Sequence, residues 1–249
     1  MRRGLRSAAG GAARARGSCA YGAICGGLKA LTVAGALAFT LHPTHSVAAE
    51  GDAVTLLALG DSLTHGYGLP EAEGFVPRLQ AWLRDRGHDV TVINAGVSGD
   101  TTQGGRARLD WSLSPEVDAV IVELGGNDLL RGIDPANSRE NLDAILTELN
   151  ARGLPALLAG LPAPLNYGED WKAEFDAMFP ELAEAHGAIL YENFLAGIGG
   201  LEDREAARAL MQADGVHPNA AGVEKVVAGI GPAVEALIAR AEAAQAPAD

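Results

Sequence analysis

The chain has 249 residues, 48% of them hydrophobic, and a formal net charge of −13, enough apolar material for one large domain with a sizeable core. Residues 50–249 hold all 32 acidic side chains but only 13 of the 19 basic ones, a net charge of −19. A surface of that sign repels nucleic acid and anionic membrane, and no basic patch with interleaved aromatics offsets it.

The first 49 residues differ in kind. Arg2, Arg3, Arg6, Arg14, Arg16 and Lys29 precede an apolar run, "LTVAGALAFTL" (31–41), and then the small residues of "HPTHSVAAE". A basic region, a short apolar region and a small-residue cleavage site predict an export signal over 1–49, with Ala49 or Glu50 as the new N-terminus. The apolar run is too short to span a membrane comfortably, so the cleaved chain is expected to keep no stable span. Cys19 and Cys25 both fall inside the segment, so the exported chain has no disulfide, no thiol nucleophile and no cysteine metal site. Neither cysteine follows a convincing lipobox. The expected location is the periplasm or the medium.

From residue 52 short apolar runs alternate with amphipathic stretches. The runs are "VTLLAL" (54–59), "DVTVIN" (89–94), "VDAVIVEL" (117–124), "PALLAG" (155–160) and "AILY" (188–191). They are rich in Val, Ile and Leu and alternate little, which suits strands buried on both faces of a parallel sheet. Between them "FVPRLQAWLRDRG" (75–87), "NLDAILTELNARG" (141–153) and "WKAEFDAMFPELAEAHG" (171–187) read as helices closed by glycine. A last helix is expected from near Asn219 to about Glu242. The βαβα order predicts a single doubly wound, three-layer α/β domain over 50–249.

In such a sheet, ligands bind beyond the carboxyl ends of the strands. Three of those ends carry unusual chemistry: Gly60-Asp61-Ser62, "NAGVSGDTT" (94–102) and "GGND" (125–128). A fourth stretch, "DGVHPN" (214–219), precedes the last helix. His217 stands before Pro218 and is expected to be extended, with Asn219 capping the helix. Asp214, three residues earlier, is close enough to hold the imidazole in the tautomer that accepts a proton at Nε2. His217 is then placed to take the proton of Ser62. An oxyanion formed by that attack needs fixed donors, and the N–H groups of Gly99 and Ser62 and the amide of Asn127 are the candidates.

At these residues the sequence resembles the SGNH (GDSL) hydrolase superfamily. "GDSL" matches the block carrying Ser62, "NAGVSGDTT" the block carrying Gly99, "GGND" the block carrying Asn127 and "DGVHPN" the block carrying Asp214 and His217. The stretches "GDSLTHGYGL", "SGDTTQGGRARL", "ELGGNDLLRGI" and "LPAPLNYG" are most similar to the thioesterase I / lysophospholipase L1 / arylesterase group. The resemblance covers about residues 53–240. It implies a flavodoxin-like fold with a five-stranded parallel sheet, a Ser62-His217-Asp214 triad without metal or cofactor, and an oxyanion hole from Ser62, Gly99 and Asn127. The substrate it implies is a small acyl ester or thioester, lysophospholipids included.

Leu63, Leu69, Leu129 and Leu161 lie near strand ends and are expected to line an apolar acyl groove. Asp61 and Asp128 lack the clustered spacing of a metal site. Thr64 stands where a second glycine would complete G-x-S-x-G, which argues against the α/β-hydrolase elbow. A carbohydrate O-deacetylase would use the same residues in a wider, polar groove. A non-catalytic binding module would not need Ser62, Asp214 and His217 together.

Overall fold

The structure, a computed structural model, describes residues 53–199 and 204–246. The expected export segment, its cleavage site and both cysteines lie outside the described residues.

All five apolar runs form strands. They are β1 (Val54–Gly60), β2 (Val90–Gly96), β3 (Ala119–Glu123), β4 (Ala156–Ala159) and β5 (Ile189–Tyr191). Every neighbouring pair is parallel and the order is β2-β1-β3-β4-β5. This is the flavodoxin-like order, in which the chain winds outward in both directions from a switch point between β1 and β3.

The central strands are covered on both faces, which explains why their apolar runs alternate so little. In β1, Leu56 and Ala58 point into one buried layer while Leu57 and Leu59 point into the other. The first layer packs under α2 (Phe75–Arg84) and α8 (Ala220–Gln245) through Leu79, Leu83, Ile230 and Val234. The second packs under α5 (Pro135–Ala151) and α6 (Glu169–His186) through Leu142, Ile145, Phe175 and Phe179. Gly87, Gly153 and Gly187 follow α2, α5 and α6 with positive φ, as the glycine endings predict.

Four helices have no clear apolar stripe and did not stand out in the sequence. Three are short: α1 (Ser62–His65), α4 (Gly126–Arg131) and α7 (Arg204–Ala209). The fourth, α3 (Thr102–Ser112), buries only Thr102, Gly105 and Leu109. Its fit depends on closeness more than on apolar area. A Cβ on Gly105 would sit 2.3 Å from Leu124 Cδ1, so only glycine lets the helix lie this near the sheet. Among the described residues no helix is long and apolar enough to cross a membrane.

Candidate active site

Ser62 is the first residue of α1, directly beyond β1, and Asn127 lies in α4, directly beyond β3. They flank the switch point of the sheet, where the two windings part and leave a crevice. The loop after β2 adds Gly99. His217 comes from the segment before α8, whose N-terminus is capped by the Asn219 side chain bonded to Gly222 N at 3.0 Å.

Ser62, His217 and Asp214 meet in one line. His217 Nε2 lies 2.8 Å from Ser62 Oγ, and His217 Nδ1 lies 2.7 Å from Asp214 Oδ2. The other carboxylate oxygen of Asp214 accepts from the backbone N–H groups of Val216 and His217 at 2.9 and 3.0 Å. The ring hydrogen bond, helped by the two backbone bonds, holds the Asp214 carboxyl down at about 2. Asp214 is thus a carboxylate throughout the neutral range. A carboxylate against Nδ1 calls for the Nδ1–H tautomer, so Nε2 accepts the Ser62 hydroxyl proton.

Asp61 joins the nucleophile turn to Asn127. Its Oδ1 accepts from Leu63 N at 2.9 Å and caps α1, while Oδ2 accepts from Asn127 Nδ2 at 3.0 Å. One N–H of the Asn127 amide is held by Asp61, which leaves the second for another acceptor. Behind Asp61 sits Glu123, fully buried at the end of β3. Its Oε2 accepts from Thr64 Oγ1 at 2.8 Å and from Asp61 N at 3.4 Å. Thr64, the residue that breaks the G-x-S-x-G pattern, is thereby a tie between the nucleophile helix and β3.

Burial pushes the Glu123 carboxyl well above its usual value, and the nearby Asp61 charge pushes it the same way. Burial also raises Asp61, against the hydrogen bonds from Leu63 and Asn127 that favour its charge. Burial thus disfavours the charged form of Glu123. A raised folded value means its contribution to stability is complete below the unfolded value and is lost as pH rises through the folded one. Glu123→Gln keeps the neutral shape and removes that loss. Its Tm relative to wild type is expected to improve as pH rises above the usual carboxylate range. A Tm difference that does not change with pH would contradict the raised Glu123 group.

Gly99 has a φ of +83°, a left-handed conformation that favours glycine, and its carbonyl accepts from Arg131 at 2.6 Å. The next residue, Asp100, is bound by Arg108 Nε at 2.6 Å. The same guanidinium donates to Ala95 O at 2.7 Å and Gly60 O at 2.8 Å. Arg108 thus clamps the ends of β1 and β2 to the loop that carries Gly99. Asp128 does similar work, accepting from Thr102 N, Thr102 Oγ1 and Ser138 Oγ at 2.9, 2.6 and 2.9 Å. Both aspartates that sequence reading weighed as metal ligands serve as hydrogen-bond hubs. Among the described residues no three His, Cys, Asp or Glu side chains form a metal-binding group.

The four leucines do not come together as one groove. Leu129 is buried in the layer under α5 and α6, while Leu63 and Leu69 pack against the opposite layer, under α2 and α8. Leu129 is buried, and the half-buried Leu63 and Leu69 lie against the other layer, so the expected wall is split. Leu161 does reach the site: its Cδ2 lies 3.7 Å from the position a Cβ would take on Gly126, beside Asp61. It also lines a pocket with Pro162, Phe179 and Pro180. The exposed apolar side chains of these loops and of α4 are others: Tyr67, Val97, Leu130, Leu165, Tyr167 and Val216. Sequence reading missed them because loop exposure leaves no periodic signal. It missed Asp61 as a positioning residue too, although its place before α1 is that of a helix cap.

A serine, a histidine and a carboxylate in hydrogen-bonded line, at the switch point of a doubly wound sheet, define an acyl-transfer hydrolase of the serine type. Residues 58–225 match the GDSL-like Lipase/Acylhydrolase family. Esterase TesA of Pseudomonas aeruginosa is 38% identical over 212 residues, which is 85% of this chain and all of that protein. Thioesterase 1/protease 1/lysophospholipase L1 of Escherichia coli K12 is 38% identical over 167 residues, 66% of this chain and 76% of that protein. The crystal structure of AlinE4, an SGNH-hydrolase family esterase, is 44% identical with a TM-score of 0.61, covering 75% of this chain and 97% of that one. The chain belongs to the GDSL-like lipase/acylhydrolase family, and with it to the carboxylic ester hydrolases.

Proposed function

We propose that the protein is an exported esterase and thioesterase that cleaves acyl esters, lysophospholipids included, through an acyl-enzyme on Ser62. The unbroken hydrogen-bond line from Asp214 through His217 to Ser62 carries this reading. Ser62 Oγ attacks the acyl carbon as its proton passes to His217 Nε2, and Asp214 steadies the imidazolium that forms. The carbonyl oxygen takes the negative charge and is met by the N–H groups of Ser62 and Gly99 and the free N–H of Asn127. As the bond to the leaving group breaks, His217 gives that proton to the departing oxygen. Water then enters by the reverse sequence, with His217 as its base, and releases the acid.

The oxyanion is the same whether oxygen or sulfur leaves, and a thiolate leaves with less need of a proton. Both ester classes are therefore substrates. Export is supported by the signal pattern of residues 1–49, and the acyl substrate class by the family. Esters of acetyl, butyryl, octanoyl and palmitoyl chains, with an octanoyl thioester, test the reading through kcat/KM. Medium chains are expected to exceed acetyl, since each buried CH₂ contributes about 0.8 kcal/mol, and EDTA is expected to leave the rates unchanged. A strict acetyl preference would point to a deacetylase, and loss of activity in EDTA would contradict the mechanism.

A further inference from the structure

Acyl transfer through His217 decides where the two halves of the substrate lie. His217 Nε2 delivers its proton to the departing atom, so the leaving group rests against His217. The carbonyl oxygen turns the other way, to Ser62, Gly99 and Asn127. Side chains beside His217 therefore meet the leaving group.

One aromatic ring stands there. Tyr67, just beyond α1, is 50% exposed, and its ring centroid lies 4.7 Å from that of His217 at a tilt of 40°. Val216, next to His217 in the chain, is exposed as well. An exposed tyrosine alone is ordinary, but the backbone of this one is pinned. Tyr67 N donates to Ser62 O at 3.1 Å, and Tyr67 O accepts from Gln212 Nε2 at 2.7 Å. The same Nε2 donates to Pro218 O at 2.9 Å, and Gln212 N donates to His217 O at 2.7 Å. Gln212 thus clips the Tyr67 turn to the His217 segment. The backbone that carries the ring is fixed beside the base by main-chain bonds that no change of the Tyr67 side chain removes.

We infer that Tyr67, with Val216, forms a platform for the leaving group, and that it selects flat apolar leaving groups, the phenols of aryl esters, over small alkyl alcohols. This assignment rests on the acyl-transfer mechanism proposed above. In the step it favours, Ser62 Oγ bonds to the acyl carbon and the carbon–oxygen bond to the phenol breaks. The electron pair stays on the phenol oxygen, which receives the proton His217 took from Ser62. The aromatic contact helps only while the phenol is present, so it acts on acylation and not on release of the acid.

Phenyl butyrate and ethyl butyrate share their acyl group and differ only in what leaves. Tyr67→Ala is expected to lose about tenfold in kcat/KM on the phenyl ester and about twofold or less on the ethyl ester. Tyr67→Phe is expected to keep phenyl-ester activity within about twofold, because the ring remains. Equal losses on the two esters would make Tyr67 a support for His217 alone, and unchanged phenyl-ester activity would remove the contact; either overturns the platform. Failure of the underlying mechanism looks different: Ser62→Ala would then hydrolyse both esters at wild-type rates, and the platform would fall with it.

Discussion

Ser62→Ala is expected to lower kcat by about 10⁴- to 10⁶-fold while the fold is kept, and His217→Ala is expected to do nearly the same. The reason is geometric. The 2.8 Å contact between His217 Nε2 and Ser62 Oγ makes the two side chains one device, since a serine hydroxyl without its base is a weak nucleophile. Losses from parts of one device do not add. The double variant Ser62→Ala/His217→Ala should therefore be hardly slower than either single one. What remains in all three is the help given by the oxyanion donors and by binding. Steady-state kinetics on an octanoyl ester, with near-identical melting curves for the variants, checks this. Losses that multiplied in the double variant would show Ser62 and His217 acting apart.

Asn127→Ala is the second large effect. It is expected to lower kcat by about 10²- to 10³-fold with little change in KM. Asp61 Oδ2 holds one N–H of the amide at 3.0 Å, which fixes the amide and leaves its second N–H for the substrate oxygen. A donor fixed in advance meets the charge that grows on the carbonyl oxygen in the transition state, so its loss falls on kcat. A variant in which KM rose and kcat held would make Asn127 a ground-state contact. Comparing kcat and KM on one ester before and after the substitution separates the two outcomes.

Most of the architecture was legible because the sheet is covered on both faces. Leu56 and Ala58 need one core and Leu57 and Leu59 the other, so these four neighbours are all apolar and the strand declares itself. The helix α3 gave no such sign. It begins Thr-Gln-Gly-Gly-Arg and is held by close packing on Leu124, which only the folded sheet supplies. The triad was readable because Asp214 and His217 sit in one turn and Ser62 in a marked strand end. The tie from Asp61 to Asn127 crosses 66 residues of sequence, and the Arg108 clamp on Gly60 crosses 48. No local pattern announces bonds of that span. The leucines misled for a related reason: a leucine beside a strand end serves core or groove alike, and the placement of α1 and α4 set Leu63 against one core and Leu129 within the other.

The central claim, that Ser62 is the nucleophile made reactive by His217, is tested most directly by labelling. A fluorophosphonate reacts only with a hydroxyl whose proton a base accepts, and it leaves a covalent mark that peptide mapping locates. The mark is expected on Ser62 alone, and it should vanish in Ser62→Ala and fade strongly in His217→Ala. A mark on Ser98, or one that persists in Ser62→Ala, would contradict it.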